Sequence, residues 1–316
     1  KGTEHFMSDL HGEYDAFYHI INNCSGVIRE KVAMLYGDEL TVYEQQELCT
    51  LIYYPREKLS ILMDENKVND EWYRNVLNQL IQIAKLLSSK YTRSKVRKAM
   101  PVDFAYIIDE LIHAQKDEDD NRSVYHRQIM ETILSLHNGD EFLVALTDLI
   151  KRLAVDHLHI LGDIYDRGAH ADKILDLLME HHSVDIQWGN HDILWMGAFC
   201  GNPVCMALVV RNNIKYKTMS ILENGYGISL RFLLQFAVNT YSDKNVDDAV
   251  YKAISVILFK LEGQLIKRHP EYRMEGRLLL DKMNLDKGTV RIGDKDYFLN
   301  TNEFPTVDMN NPYVDS

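Results

Sequence analysis

The chain has 316 residues, of which 46% are hydrophobic and 10% aromatic, enough apolar material for a sizeable core and too much for a disordered chain. Its net charge of −12 excludes a basic nucleic-acid surface, and no apolar run is long enough to cross a membrane. Four cysteines, Cys24, Cys49, Cys200 and Cys205, have neither zinc-knuckle spacing nor disulfide-scaffold density, so they read as reduced thiols of a cytoplasmic protein.

In chain order, residues 3–7 read as a first strand that ends in a polar turn. A long, almost wholly helical stretch follows. Thr41 and Glu44 form a capping box ahead of Leu48, Leu51 and Ile52. Asn69 or Asp70 opens a helix through Val76, Leu77, Leu80, Ile81, Ala84 and Leu87, with an apolar period of 3.6 residues. Pro101 opens another, the acidic residues 117–120 read as a solvated loop, and Gly139-Asp140 starts a helix to Leu153. Residues 157–161 and 184–188 give a second and third strand, each followed by a glycine-containing turn and a helix. This is the rhythm of a parallel or mixed α/β sheet, in which functional groups gather where strands end. An amphipathic helix is expected over residues 246–267. Residues 289–292 and 297–299 flank Gly293-Asp294 as a hairpin, and residues 300–316 read as loop.

Three short motifs carry chemistry. Asp9 and His11 lie two apart where the first strand ends, a spacing that aims both at one ion, although a lone Asp-x-His usually decorates a turn. The second motif is Gly162-Asp163-Ile164-Tyr165-Asp166-Arg167-Gly168. Asp163 is placed to leave the strand, Arg167 offers a planar fork suited to phosphate, and the bland alternative is a capped turn with an Asp–Arg pair. The third is Gly189-Asn190-His191-Asp192, where Asn190 can offer an amide oxygen and His191 a proton near neutral pH. Each motif alone is weak. In this order, each past a strand, they are more than the chance decoration of turns.

These residues resemble the calcineurin-like metallophosphoesterases, and within them the bacterial class III fructose-1,6-bisphosphatases. The segments KGTEHFMSDLHGEYDAF, NNCSGVIREKV, LIYYPREKL, DHLHILGDIYDRG, HHSVDIQWGNHDILWMGA, LENGYGISLR and FKLEGQLIKRHPEYRMEGRLLLDK carry the resemblance over nearly the whole chain. It implies an α/β fold with a metallophosphoesterase core, a β-sheet sandwich flanked by helices, from residues 1–14 and 155–299. A helical insertion at residues 15–154 and a loop at residues 300–316 complete the division. It further implies two divalent metal ions, Mn2+ by family habit. Asp9, His11 and Asp163 would hold the first, and Asp163 with Asn190 the second. His191, oriented by Asp166, would donate a proton, and Arg167 and Asn190 would bind the substrate phosphate. The implied reaction is hydrolysis of fructose 1,6-bisphosphate in gluconeogenesis. The rivals are a protein or dinucleotide-polyphosphate phosphatase, which lacks the long helical insertion, and a non-catalytic fragment that binds a partner.

The chain departs from the pattern after His191. The family needs further glycine-flanked histidines there, and this sequence offers only His269, which reads as a helix-end residue. Family members are also about twice as long. A truncated chain is therefore expected, with one metal bound tightly, little or no turnover, and exposed apolar surface that a second copy would cover. His157 and His159, alternating with Leu158 and Ile160, read as packing residues, and His181-His182 as surface.

Overall fold

A computed structural model of the chain describes residues 2–113, 120–243 and 245–314. Of the acidic stretch 117–120, residues 117–119 lie outside the described residues. The fold is mixed α/β and mostly helical, with two small sheets. It forms two compact units, one of Lys1–Met7, Asp15–Ile160 and Glu180–Ile186, the other of Ser8–Tyr14, Leu161–Met179 and Gln187–Ser316. No helix among the described residues is long and apolar enough to cross a membrane.

The first unit is built on helices α1 (Tyr14–Asn23), α2 (Val27–Tyr36), α3 (Val42–Tyr53), α4 (Pro55–Asp64), α5 (Asp70–Ser88), α6 (Arg93–Ala99), α7 (Ala105–His113), α8 (Asp120–Ser135) and α9 (Gly139–Ala154). Local signals set where they start. The Thr41 hydroxyl accepts the amide of Glu44 at 3.3 Å, and the Glu44 carboxylate accepts the Thr41 amide at 2.8 Å, a complete capping box on α3. Asn69 caps α5 by accepting the amide of Trp72 at 2.8 Å. The apolar stripe of α5 (Leu77, Leu80, Ile83, Leu87) packs against that of α9 (Phe142, Leu146, Leu149), and all seven are buried.

The same unit holds a three-stranded parallel sheet in the order β1 (Glu4–Met7), β2 (His157–Ile160), β3 (Val184–Ile186). The register pairs Phe6 with His159 and His159 with Asp185. All three strands are shorter than the sequence suggested. The chain turns into left-handed backbone soon after β1 and β2, at Asp9 (φ 56°) and at Gly162 and Asp163 (φ 93° and 55°).

The second unit contains α10 (Ala171–Glu180), α11 (Asn190–Phe199), α12 (Pro203–Tyr216), α13 (Arg231–Thr240) and α14 (Val246–Arg268). Val204, Ala207 and Ile214 of α12, Ala237 of α13 and Ala249, Ala253 and Ile254 of α14 form its core. An antiparallel sheet follows, β4 (Met283–Asn284), β5 (Thr289–Ile292) and β6 (Lys295–Phe298). Its two-residue turn is Gly293-Asp294, with Gly293 at φ 60° as a primed hairpin turn requires. The segment after residue 300, expected as plain loop, is pinned to α14. Tyr313 is buried, its carbonyl accepts from Gln264 at 2.7 Å, and the Val314 carbonyl accepts from the buried Lys260 amine at 3.0 Å.

Candidate metal and phosphate site

The three motif loops, residues 8–14, 161–170 and 187–192, follow β1, β2 and β3 in the chain and belong to the second unit. The first two are joined by backbone hydrogen bonds. The His11 amide donates to the Asp163 carbonyl at 2.8 Å, Gly12 to Ile164 at 2.9 Å, and Gly168 back to His11 at 2.7 Å. This lacing holds Asp9, His11, Asp163, Asp166 and Arg167 at positive φ, between 45° and 78°. Left-handed backbone in a residue with a Cβ costs of order 1 kcal/mol and persists only where the surroundings fix it. The close approach of the second and third loops needs glycine: a methyl on Gly162 would overlap the backbone of Gly189, and one on Gly189 would overlap the Asp163 carboxylate.

Asp9, His11 and Asp163 converge, each offering a ligand atom within 4.8 Å of the others. Asp9 is exposed, Asp163 half-buried and His11 buried. The His11 Nδ1 donates to the Tyr165 carbonyl at 3.1 Å, which leaves the Nε2 lone pair facing Asp9 at 3.7 Å. Two carboxylates and an unprotonated ring nitrogen drawn together form a donor set that suits a divalent ion with oxygen and imidazole preference. Like charges held this close also ask for a cation.

His191 forms a second group. Its Nδ1 donates to Asp166 Oδ2 at 2.7 Å, which leaves Nε2 as the atom able to exchange a proton. Its ring stands edge-on to that of His11, with centroids 5.4 Å apart, so the two groups adjoin. Asp166 is only 1% exposed and accepts two further bonds, from Trp195 Nε1 at 3.1 Å and Asn212 Nδ2 at 2.7 Å. Asn190 opens α11 with its side chain exposed, between Gly189 and the His191 amide that donates to Asp163 Oδ1 at 3.2 Å. Arg167 is exposed beside the buried Asp166. His269, the one downstream histidine, caps α14 and binds Glu271 at 2.8 Å.

Several residues here escape a reading of the motifs. Asp192 is buried and accepts four backbone amides: Gly189 at 2.8 Å, Asp163 at 2.7 Å, Ile164 at 2.9 Å and Tyr165 at 3.2 Å. It staples the second loop to the third. Only the Gly189 bond had a local signal, the capping position three residues into a helix. Tyr165 stacks on Trp195 at 4.3 Å, and its hydroxyl meets that of Tyr226 at 2.9 Å. Burial pushes both phenols up in pKa. Trp195 sits one helical turn after His191, which is a faint signal. Asn212 carried none.

The family model described as Firmicute fructose-1,6-bisphosphatase matches residues 1–315. Proteins named fructose-1,6-bisphosphatase class 3 are similar throughout. The Clostridium beijerinckii protein, "class 3 1", is 50% identical over 333 residues, covering 99% of this chain and 50% of its own length. Those of Clostridium acetobutylicum and Clostridium tetani are each 49% identical, with the same coverage. The chain thus spans about half the length of the curated relatives it matches. No solved structure matches it. With its three motif loops matched along with nearly all the rest of its length, the chain belongs to the Firmicute fructose-1,6-bisphosphatase family.

Proposed function

We propose that this chain carries metal-binding and proton-transfer groups for hydrolysis of the 1-phosphate of fructose 1,6-bisphosphate, on a calcineurin-like metallophosphoesterase core. The convergence of Asp9, His11 and Asp163 beside the Asp166–His191 pair is the observation that carries this reading. Asp9, His11 and Asp163 would hold one divalent ion, and Asp163 with Asn190 would contribute to a second, with Mn2+ the proposed metal. Bound divalent metals supply positive charge to the phosphoryl oxygens and a water acidic enough to attack near neutral pH.

The chain's own groups do the rest. Tyr165, through its carbonyl, fixes the His11 tautomer that presents Nε2 to an ion. Asp166 holds the proton on His191 Nδ1, so a protonated His191 donates from Nε2 to the leaving sugar oxygen. Arg167 offers its guanidinium to the phosphoryl oxygens. We place the activity in the cytoplasm, a reading supported by four free cysteines, the usage of a reducing compartment.

The test is a Mn2+ titration by calorimetry together with phosphate release from fructose 1,6-bisphosphate. This chain and the Clostridium acetobutylicum protein would be measured side by side. Release that depends on Mn2+, favours the bisphosphate over aryl phosphates and vanishes in Asp163→Ala is expected. His191→Ala should keep its Mn2+ affinity while turnover falls by about 10²–10⁴-fold. Absence of Mn2+ binding by either protein, or indifference of turnover to Asp163→Ala, would overturn the reading.

A further inference from the structure

A second cluster of ligand-type side chains lies in the first unit, on one face of the parallel sheet. His157 and His159 are two apart on β2, so their side chains share a face, and Asp185 is the register partner of His159 on β3. His159 Nδ1 is 2.8 Å from Asp185 Oδ1, and His157 Nε2 is 3.2 Å from Asp185 Oδ2. The three residues offer ligand atoms all within 4.8 Å of one another. Both histidines are half-buried while Asp185 is exposed, so the cluster opens to solvent on its carboxylate side.

We propose that His157, His159 and Asp185 form a binding site for a divalent first-row transition ion of the zinc class, tying β2 to β3 through their side chains. Three observations support it. The donor set is two imidazoles and a carboxylate, which zinc-class ions take with remaining positions left to water. The 2.8 and 3.2 Å separations are close to the edge of a coordination polyhedron whose metal–ligand bonds are about 2.0–2.2 Å, so an ion enters with small side-chain movements. Finally, His157 is already oriented: its Nδ1 meets the Ser183 hydroxyl at 2.6 Å, which turns Nε2 toward Asp185, as outer hydrogen bonds do for ligating histidines. Phe6 stacks on the His159 ring at a centroid distance of 4.4 Å and restricts its rotation. The cluster shares no residue with Asp9, His11 and Asp163, and it does not depend on the proposed hydrolysis.

The experiment uses a His11→Gln, Asp163→Asn background, which removes the imidazole and a carboxylate of the other cluster. Zn2+ titration by calorimetry should still show one ion per chain. Bound Cu2+, used as a spin probe, should show couplings to two imidazoles by pulsed electron paramagnetic resonance. Adding Asp185→Asn, which is isosteric and keeps hydrogen-bonding capacity, should abolish binding, and Ser183→Ala should weaken it about 10–100-fold. Binding unchanged by Asp185→Asn, no ion in the background protein, or coupling to a single imidazole would each overturn the proposal. The spin measurement reads the site without any substitution in the cluster, so a misfolded variant leaves the test intact.

Discussion

On α3 and on α11 an acid three residues beyond the cap accepts the cap residue's own amide, and the two acids behave differently. On α3, Glu44 accepts the amide and hydroxyl of Thr41, at 2.8 and 2.7 Å, and remains exposed. On α11, Asp192 accepts the Gly189 amide at 2.8 Å in the same local way, yet it is buried and takes three more amides from residues 163–165. The first acid serves one helix end. The second holds a loop that lies nearly thirty positions earlier in the chain and contains Asp163. A helix cap becomes a site scaffold once it is buried and its spare lone pairs meet amides from elsewhere. The same contrast runs through the two units: packed apolar stripes such as those of α5 and α9 stabilise the first, whereas the site loops rest on buried acceptors, Asp166 and Asp192.

Asp192→Ala gives the largest expected effect. It leaves four amides without their acceptor, each unsatisfied buried donor costing about 1–3 kcal/mol, with losses that do not simply add. Mn2+ affinity measured by calorimetry should collapse although Asp192 is not among the proposed ligands. If affinity and unfolding midpoint change no more than they do on removing the α3 cap, the comparison fails. Phe142→Ala comes next. Phe142 is fully buried in the first unit and stacks edge-on against Phe104 at 5.3 Å, so its loss should lower stability in urea by about 3–5 kcal/mol. Mn2+ affinity should be untouched, because no proposed ligand rests on that core.

Asn212→Leu is a finer probe. It removes one of three donors to the buried Asp166, an interaction with a charged group worth about 1.5–3 kcal/mol. The expected signature is a lower kcat at unchanged Mn2+ affinity, because Asp166 orients the His191 ring and no proposed ligand. An equal fall in metal affinity would make Asn212 a general scaffold residue and erase the distinction drawn here between the two groups of the site.

What could be read from the sequence follows the same division. The helix starts at Asn69 and Gly139, the capping box at Thr41, the length of α14 and the turn at Gly293 are local signals, and the structure has them. The left-handed backbone at Asp9, His11, Asp163, Asp166 and Arg167 was not legible, because nothing local marks a carboxylate, an imidazole or a guanidinium for positive φ. Those conformations are imposed by the lacing between loops. Likewise Asn212 reaches Asp166 across 46 residues and Asp192 reaches Tyr165 across 27, distances over which periodicity is silent. His157 and His159 show the converse: their alternation with Leu158 and Ile160 was legible, but the carboxylate between them comes from another strand.

The smallest expected effect is the most discriminating, because it reads the α3 cap by itself. Thr41→Ala should cost about 1 kcal/mol, the usual loss on removing a threonine cap. Mn2+ affinity should not change. The cost should also depend on pH. The Thr41 hydroxyl, and after it the Thr41 amide, holds the Glu44 carboxyl below the ordinary glutamate range. A carboxyl whose folded-state pKa is depressed contributes stability that is fully present above its unfolded value and fades as pH falls through the folded one. The difference between Thr41→Ala and the parent protein should therefore shrink in acid, below the ordinary carboxylate range, as Glu44 takes up its proton in both. The Phe142→Ala difference should hold constant over the same interval, since burial of a ring involves no titrating partner. Urea unfolding of the three proteins at neutral and acid pH decides it. A Thr41→Ala cost that stays the same in acid would mean that the cap works through the hydroxyl and the amide of Glu44 alone, and that the carboxylate half of the capping box contributes nothing.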